Sequence, residues 1–302
     1  MQTSRADVAD LIYFLAIARH RSFSRAAVEI GVSASALSHA LKGLENRLGV
    51  RLLNRTTKSV TLTAAGEALA QSIGDPFEAI DTALETLNRF RDTPSGRVRI
   101  NAAVEAANLL LAPVMPAFMD RYPDVEIDIV ASNRLVDMTD AGFDAGIRYG
   151  GTVPEDMVSR RLSADIRWVV AAAPSYLERF GTPEHPDDLV NHRCISNRLG
   201  DDRVYRWELE RKGEAFQITV PTSVTVDQAE TGLIAVLGGA GLMYFPEPLV
   251  EPYVRDGRLR LVLAEWAPLE DGFHIYYSSR RQLPTGLRLL IDFIREVRPL
   301  GL

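Results

Sequence analysis

Ser35, Ser38, His39 and Lys42 follow one another at i, i+3, i+4 and i+7. On a helix that spacing gathers them on one face. Their tips are hydroxyls, an imidazole and an ammonium, which make hydrogen bonds without much bulk. A helix that lies in a major groove needs such a face, because base edges present donors and acceptors there. Ala34 stands beside them with a methyl suited to a thymine methyl. A solvated helix face has the same composition, so the stripe alone leaves both readings open.

A few residues on, RLLNRTTKSVTLT reads as two short β runs around a polar turn. Arg51, Arg55 and Lys58 make that turn basic, and Thr56 and Thr57 add hydroxyls. Such a wing can grip phosphates or enter a minor groove.

A second kind of chemistry is suggested by NHRCISN, where His192 and Cys194 stand two residues apart. On a strand they point the same way, as a base and a thiol would. No third orienting group and no oxyanion motif accompany them, so a structural cysteine is the favoured reading. A redox switch would need a thiol from another chain, since Cys194 is the only cysteine. The histidines at 20, 39, 185, 192 and 274 lack metal-site spacing. Gly238-Gly239-Ala240-Gly241 follows a helical stretch and reads as its end, not as a phosphate loop. No catalytic residue, metal or cofactor is expected.

The elements that must carry the polar stripe are short helices. Asp7 is placed to cap a first one, with Val8, Leu11, Ile12, Leu15 and Ala18 as its apolar positions. Ser22 caps a second, with Phe23, Ala26, Ala27 and Ile30 inside, and Gly31 turns the chain. Ser33 caps the third, whose inner stripe is Leu37, Leu41, Leu44 and Leu48 before Gly49. Gly43, inside that helix, has no evident reason in the sequence.

The stretch FLAIARHRSFSRAAVEIGVSASALSHALKGLENRLGVRLLNRTTKSVTLTAAGE resembles the N-terminal signature of LysR-type transcriptional regulators. The match runs from about Leu11 to Glu67 and includes Ser22-Phe23-Ser24, Ala26-Ala27, Leu37-Ser38, Leu44-Glu45, Leu48-Gly49, Arg55 and Leu62-Thr63. Ala34 departs from the Gln or Pro that relatives often carry. The resemblance implies a DNA-binding set of Ser22, Ser33, Ala34, Ser35, Ser38, His39, Lys42, Arg55, Thr57 and Lys58. It also implies double-stranded DNA, a small-molecule effector and a second copy of the chain as partners, in a dimer or a dimer of dimers.

From Thr63 to about Arg91 the composition is helical. Ile73, Phe77, Ile80, Leu84 and Leu87 form a heptad-like seam, interrupted by Gly74-Asp75-Pro76, where a bend is expected. The seam packs either on its own body or, as the resemblance implies, on the same helix of a partner. Asp92-Thr93-Pro94-Ser95-Gly96 reads as a hinge.

Beyond it, strand-like and helical runs alternate: Val98-Arg99-Ile100, then Leu109 to Tyr122, then Val125 to Val130. That rhythm predicts a mostly parallel sheet covered by helices. PAFMDRYPDVEIDIV, DAGFDAGIRYG and AGLMYFPEPLV sit where the family's body, similar to a periplasmic binding protein, has its landmarks. The expected fold is therefore mixed. A mainly α winged helix-turn-helix spans 1–62 and a linker helix spans 63–91. A two-lobed α/β effector domain spans 92–302, with lobe one at about 97–163 plus 267–302 and lobe two at about 164–266.

An effector would sit between the lobes, at strand ends and helix starts. The expected lining is Val104, Glu105 and Ala106, then Arg148 and Tyr149 after a strand Ala145-Gly146-Ile147, then Asp227, with Asn133, Ser196 and Phe245 at the rim. Relatives often have Ser or Thr where Glu105 stands. If that carboxylate faces the cleft it repels an anion, and it points otherwise to solvent. Arg148 is either a fork for a carboxylate or a structural ion pair. Asp227 and Glu230 fit a capping box.

Bulk properties agree with this division. Residues 1–66 carry nine Lys/Arg against four Asp/Glu, while the whole chain is at −6, so a basic head adjoins an acidic body. No run has the roughly 20 apolar residues of a membrane span, and the first residues lack a signal-peptide pattern. A cytoplasmic regulator without membrane contact is expected. A plain solute-binding or redox-sensing protein is the alternative.

Overall fold

A computed structural model describes residues 5–55, 60–85, 94–138, 141–154, 157–278 and 283–302. It divides into two units, Met1–Asp92 with Asp137–Gly142, and Thr93–Val136 with Phe143–Leu302. The first, the head, is built from α1 (Arg5–His20), α2 (Phe23–Ile30), α3 (Ala34–Leu48), β1 (Leu53–Arg55), β2 (Val60–Leu62) and α4 (Ala64–Glu85).

Ser22 and Ser33 cap α2 and α3, their hydroxyls accepting from the backbone N–H groups of Arg25 and Ala36 at 3.4 and 3.1 Å. Gly31, at φ +75°, closes α2 in the left-handed region that a side chain would strain. Leu37, Leu41 and Leu44 are buried against Phe14, Ile17, Ala26 and Ala27. The core stripe of α1 is thus set one position from the expected one. Val8 and Ile12, expected inside, are exposed, while Phe14 and Ile17 are fully buried. Nor does Asp7 precede the helix as its cap. It lies in the first turn, and with Asp10 it receives Arg47 of α3, at 2.8 Å to Asp7. Gly43 stands one turn before Arg47, and a Cβ there would come within 3.2 Å of the guanidinium, so its missing side chain leaves room for this bridge.

Leu52 and Leu53 donate their N–H groups to the Glu45 carboxylate at 2.8 and 3.1 Å, which pins the wing to α3. Strands β1 and β2 pair antiparallel from Leu53↔Leu62 to Arg55↔Val60. Helix α4 continues without interruption through Pro76, where the bend is expected. Leu87 of the seam lies outside the described residues, as do Asp92 and Thr93 of the hinge.

In chain order the body comprises β3 (Gly96–Ala102), α5 (Val104–Ala106), irregular helical turns over 107–114, α6 (Met115–Arg121), β4 (Val125–Ala131), β5 (Ala145–Tyr149), β6 (Val158–Arg161), β7 (Ile166–Ala172), α7 (Pro174–Phe180), β8 (Cys194–Asn197), β9 (Trp207–Arg211), β10 (Glu214–Ile218), β11 (Thr222–Val226), α8 (Ala229–Leu237), β12 (Leu242–Pro246), α9 (Glu247–Arg255), β13 (Arg260–Val262), β14 (Leu269–Glu270), β15 (Phe273–Tyr277) and α10 (Thr285–Val297). One sheet has the order β4-β3-β5-β15-β6, with β4, β3 and β5 parallel. A second has the order β11-β8-β12-β7-β13, with β14 also on β7.

Apolar strands and helix faces bury a core on each sheet. In the first lobe Val98, Ile100 and Ile147 meet Leu287, Leu290 and Ile294 of α10. In the second, Val169 and Met243 meet Leu233 and Val236 of α8 on one side, and Tyr244 meets Trp207 and Leu209 on the other. Because β14 pairs with β7, the chain leaves the second sheet after Glu270, a few residues beyond the 267 expected. Gly146 is required by close approach: a Cβ there would lie 2.2 Å from the ring of Tyr276, its cross-strand neighbour.

Candidate DNA-reading face and interlobe cleft

On α3, Ser35, His39 and Lys42 are exposed and Ser38 is half-buried, opposite the buried leucines. The Ser35 and Ser33 hydroxyls share a hydrogen bond of 2.9 Å at the start of the helix. Ala34 is half-buried and packs on the head core, so its methyl is partly withdrawn from the stripe. Arg55 ends β1, and Thr57 and Lys58 lie outside the described residues. The head therefore presents a small polar face at a helix start, with the first strand of a wing beside the same helix.

In the body, β3 ends at Ala102, and Val104, Glu105 and Ala106 open the helix that follows. Asn133 lies at the mouth between the lobes. Its side-chain oxygen accepts from the Val104 N–H at 3.1 Å, and its amide donates to the Asp227 carbonyl at 3.2 Å. A second link joins Asn108 to Glu230, whose Oε1 accepts from the asparagine amide. Tyr149 and Trp168 add an apolar contact, with ring centroids 5.5 Å apart.

Glu105 opens the helix beside this mouth, and the charges of Glu230 and Arg148 act on it. The residue as a whole is half-buried, but its carboxyl is withdrawn from water. Burial, and then the charge of Glu230, push its pKa above the ordinary range, against its own backbone N–H and Arg148, which favour ionisation. The Tyr149 hydroxyl is shut in nearby, held protonated by burial and by Glu105, Tyr205 and Glu230. Among the described residues, neither the Tyr149 hydroxyl nor Glu230 Oε2 has a hydrogen-bond partner.

Several expected residues are placed differently. Strand β5 continues through Arg148 and Tyr149, which therefore do not follow it. The Arg148 guanidinium points into the lobe, donating to the carbonyls of Asn101 and Ile147 at 3.1 and 2.8 Å, to that of Arg134 at 3.0 Å and to the Asn101 side chain. Among the described residues it is neither a free fork nor half of an ion pair. Burial lowers its pKa. Ser196 is not at the rim: it is fully buried, and its hydroxyl meets that of Thr222 at 2.7 Å, joining β8 to β11. Phe245 is likewise sealed in the second core. Asp227 and Glu230 do not form a capping box; Gln228 holds the cap position of α8 without a side-chain bond.

Asn108, Trp168, Tyr205 and Glu230 were missed as cleft residues. Glu230 had a signal, its spacing from Asp227, which fits a cap equally well. Trp168 and Tyr205 reach the cleft only through the packing of the second lobe, with ring centroids 6.3 Å apart.

Cys194 is fully buried, and burial pushes its thiol up to about 12. His192, its pKa lowered by burial, meets the Tyr176 hydroxyl at 3.3 Å. These groups brace β8 and do not form a nucleophile and base.

A polar helix face on a small three-helix head, followed by a two-lobed α/β body with a polar cleft, defines a ligand-responsive DNA-binding protein. Residues 8–67 match the family model described as the bacterial regulatory helix-turn-helix protein of the lysR family, and residues 91–299 match the LysR substrate binding domain. YcaN of Escherichia coli, named as an HTH-type transcriptional regulator, is 38% identical over 96% of this chain and 95% of its own. PgrR of the same organism, another HTH-type transcriptional regulator, is 34% identical over 96% of this chain and 98% of its own. Among solved structures, a full-length AphB variant aligns with a TM-score of 0.74 at 25% identity, covering 95% of this chain and 97% of that one. The LysR-type regulator CrgA of Neisseria meningitidis aligns at 0.61 and 27% identity, covering 98% and 99%. The chain belongs to the LysR family of transcriptional regulators. It is a DNA-binding regulator with an effector-binding domain, and no described helix is long and apolar enough to cross a membrane.

Proposed function

We propose that Ser35, Ser38 and His39 read base edges in the major groove, and that Lys42, Arg55, Thr57 and Lys58 hold phosphates, with Ser22 and Ser33 supporting from two helix starts. The domain limits at 62 and 91 belong to the same reading. The observation that carries it is the two-sided character of α3, with fully buried leucines on one face and, on the other, hydrogen-bonding groups exposed at Ser35, His39 and Lys42 and half-buried at Ser38. A reader helix must be held rigidly from behind and stay unobstructed in front.

Two copies of the chain bind together, placing their reader helices in successive major grooves roughly 34 Å apart. Support for pairing comes from α4, where Ile80 is 54% and Leu84 61% exposed on the heptad seam. An effector held between the lobes changes half-site spacing or DNA bending by favouring one arrangement of the pair. Cys194 takes no catalytic part in this reading, since its thiol is enclosed and held protonated.

Operator binding measured against salt tests the head. Arg55→Ala is expected to weaken binding to every sequence and to lower the salt slope by about one. His39→Ala should instead relax preference at particular base pairs. A sequence profile unchanged in His39→Ala and Ser38→Ala would remove α3 from the reading role.

A further inference from the structure

The cleft chemistry departs from what an anion would need. Between the lobes, Glu105, Glu230 and Tyr149 are near enough for their charges to act on one another, Arg148 acts on Glu105, and Asn108 and Asn133 stand beside them. Arg148 is already turned to Asn101 and to three backbone carbonyls, leaving only its Nε without a partner. Two carboxylates therefore oppose one guanidinium that has little left to offer a ligand.

A second observation is independent of charge. Glu230 Oε2 and the Tyr149 hydroxyl are both cut off from solvent, and neither has a hydrogen-bond partner among the described residues. A buried polar atom with no partner costs about 1–3 kcal/mol, more where it is charged, so native proteins seldom keep two together without a use. Oε2 can only accept while ionised, and the tyrosine oxygen has free lone pairs. What satisfies both atoms, and Glu105 with them, is a donor carrying several N–H groups and a positive charge. Aromatic rings stand against the same spot. Tyr149 lies between Phe273, at 4.5 Å between ring centroids, and Trp168, which itself stacks on Tyr244 at 5.2 Å. Ring faces attract cations and give the apolar remainder of a ligand a surface to cover.

We propose that the interlobe cleft takes a small organic cation, with an ammonium or guanidinium head between Glu105 and Glu230 and beneath the Tyr149 hydroxyl. The inference rests on the reading that this cleft is the effector site, and it names the chemical class that site accepts. Burial, and then the like charge of Glu230, raise the pKa of Glu105. An arriving cation offsets that repulsion and lowers the pKa again, so binding drives any proton on Glu105 to solvent.

The test is calorimetric titration of the full chain at fixed ionic strength. The probes are n-butylammonium, phenethylammonium and agmatine, set against n-butanol, butyrate and phenylacetate. At least one cation is expected to bind, with protons released, while the anions and the alcohol do not. Glu105→Gln and Glu230→Gln should each weaken that cation about tenfold or more, since each removes a charge-assisted hydrogen bond. Tyr149→Phe should weaken it less. Glutamine keeps the shape of glutamate, and undiminished operator binding in the absence of probe shows that the variants fold. The proposal is overturned if a carboxylate binds and gains affinity in Glu105→Gln, if butanol matches butylammonium, if cation binding ignores both glutamine variants, or if no cation binds. Operator affinity followed in the same samples keeps the two readings apart. A cation that binds through Glu105 and Glu230 yet leaves operator affinity unchanged supports the site and defeats the cleft's regulatory role.

Discussion

The guanidinium of Arg148 bonds to Asn101 twice, through its backbone carbonyl and through its side-chain oxygen, and so ties β5 to β3 from within the first lobe. Asn101 and Arg148 are both buried, at 1% and 4% exposure. An arginine that looks in the sequence like an anion fork is in fact a brace under the cleft floor.

Arg148→Ala should therefore act on stability before it acts on ligands. It strips the donor from the side-chain oxygen of a buried asparagine and leaves carbonyls of Asn101 and Arg134 short of a donor. Hydrogen bonds to charged groups are worth about 1.5–3 kcal/mol each, so a loss of about 2–3 kcal/mol is expected in urea unfolding of the body. Unchanged stability would show that the bonds are dispensable.

Stability should depend on pH through Glu105. Its folded pKa is raised, first by burial and then by Glu230, with its own backbone N–H and Arg148 opposing. Protonation thus favours the folded state. The contribution is complete below the ordinary glutamate value of 4.5 and is lost as pH rises through the folded pKa. Glu105→Gln lacks this ionisation, so its stability relative to the parent should climb with pH over the same window and then level off. A parallel pair of melting curves from pH 4.5 to 8 would show that Glu105 is solvated when folded.

Cys194 should resist both alkylation and oxidation in the native chain. Its thiol is fully buried and held to about 12, so little thiolate forms at neutral pH. Thiol reagents should label it at the rate of unfolding, and peroxide should leave operator binding unchanged. Rapid native labelling would put Cys194 within reach of solvent.

Replacing Ile80 and Leu84 with Lys should split the dimer without melting the head. Both side chains are exposed on α4, well beyond the core that includes Leu69, Ala70 and Ile73. Light scattering should report a halved mass with little change in the unfolding of residues 5–55. A mass equal to the parent's would place the dimer contact elsewhere.

How much of this was legible in the sequence varies with distance along the chain. The caps Ser22 and Ser33, the glycine turn at Gly31 and the leucine stripe of α3 are local features. Each is a contest among neighbours a few residues apart, so type and spacing decide it. Register was weaker evidence on α1, where apolar residues occur on more than one face and the choice between Ile12 and Phe14 depends on what α2 and α3 present. Asp7 shows the same limit, since its partner Arg47 lies forty positions away.

The division into a basic head and a two-lobed body, and the family that the helix-turn-helix motif announces, are properties of the sequence alone. They rest on charge balance, periodicity and a contiguous motif. The orientation of polar side chains in the body was decided only by the tertiary structure. Glu230 read as half of a helix cap until α8 brought it against Asn108, and Ser196 read as a rim residue until β11 covered it with Thr222. A buried polar group goes where its partners are, and those partners come from strands and helices that the chain order keeps far apart.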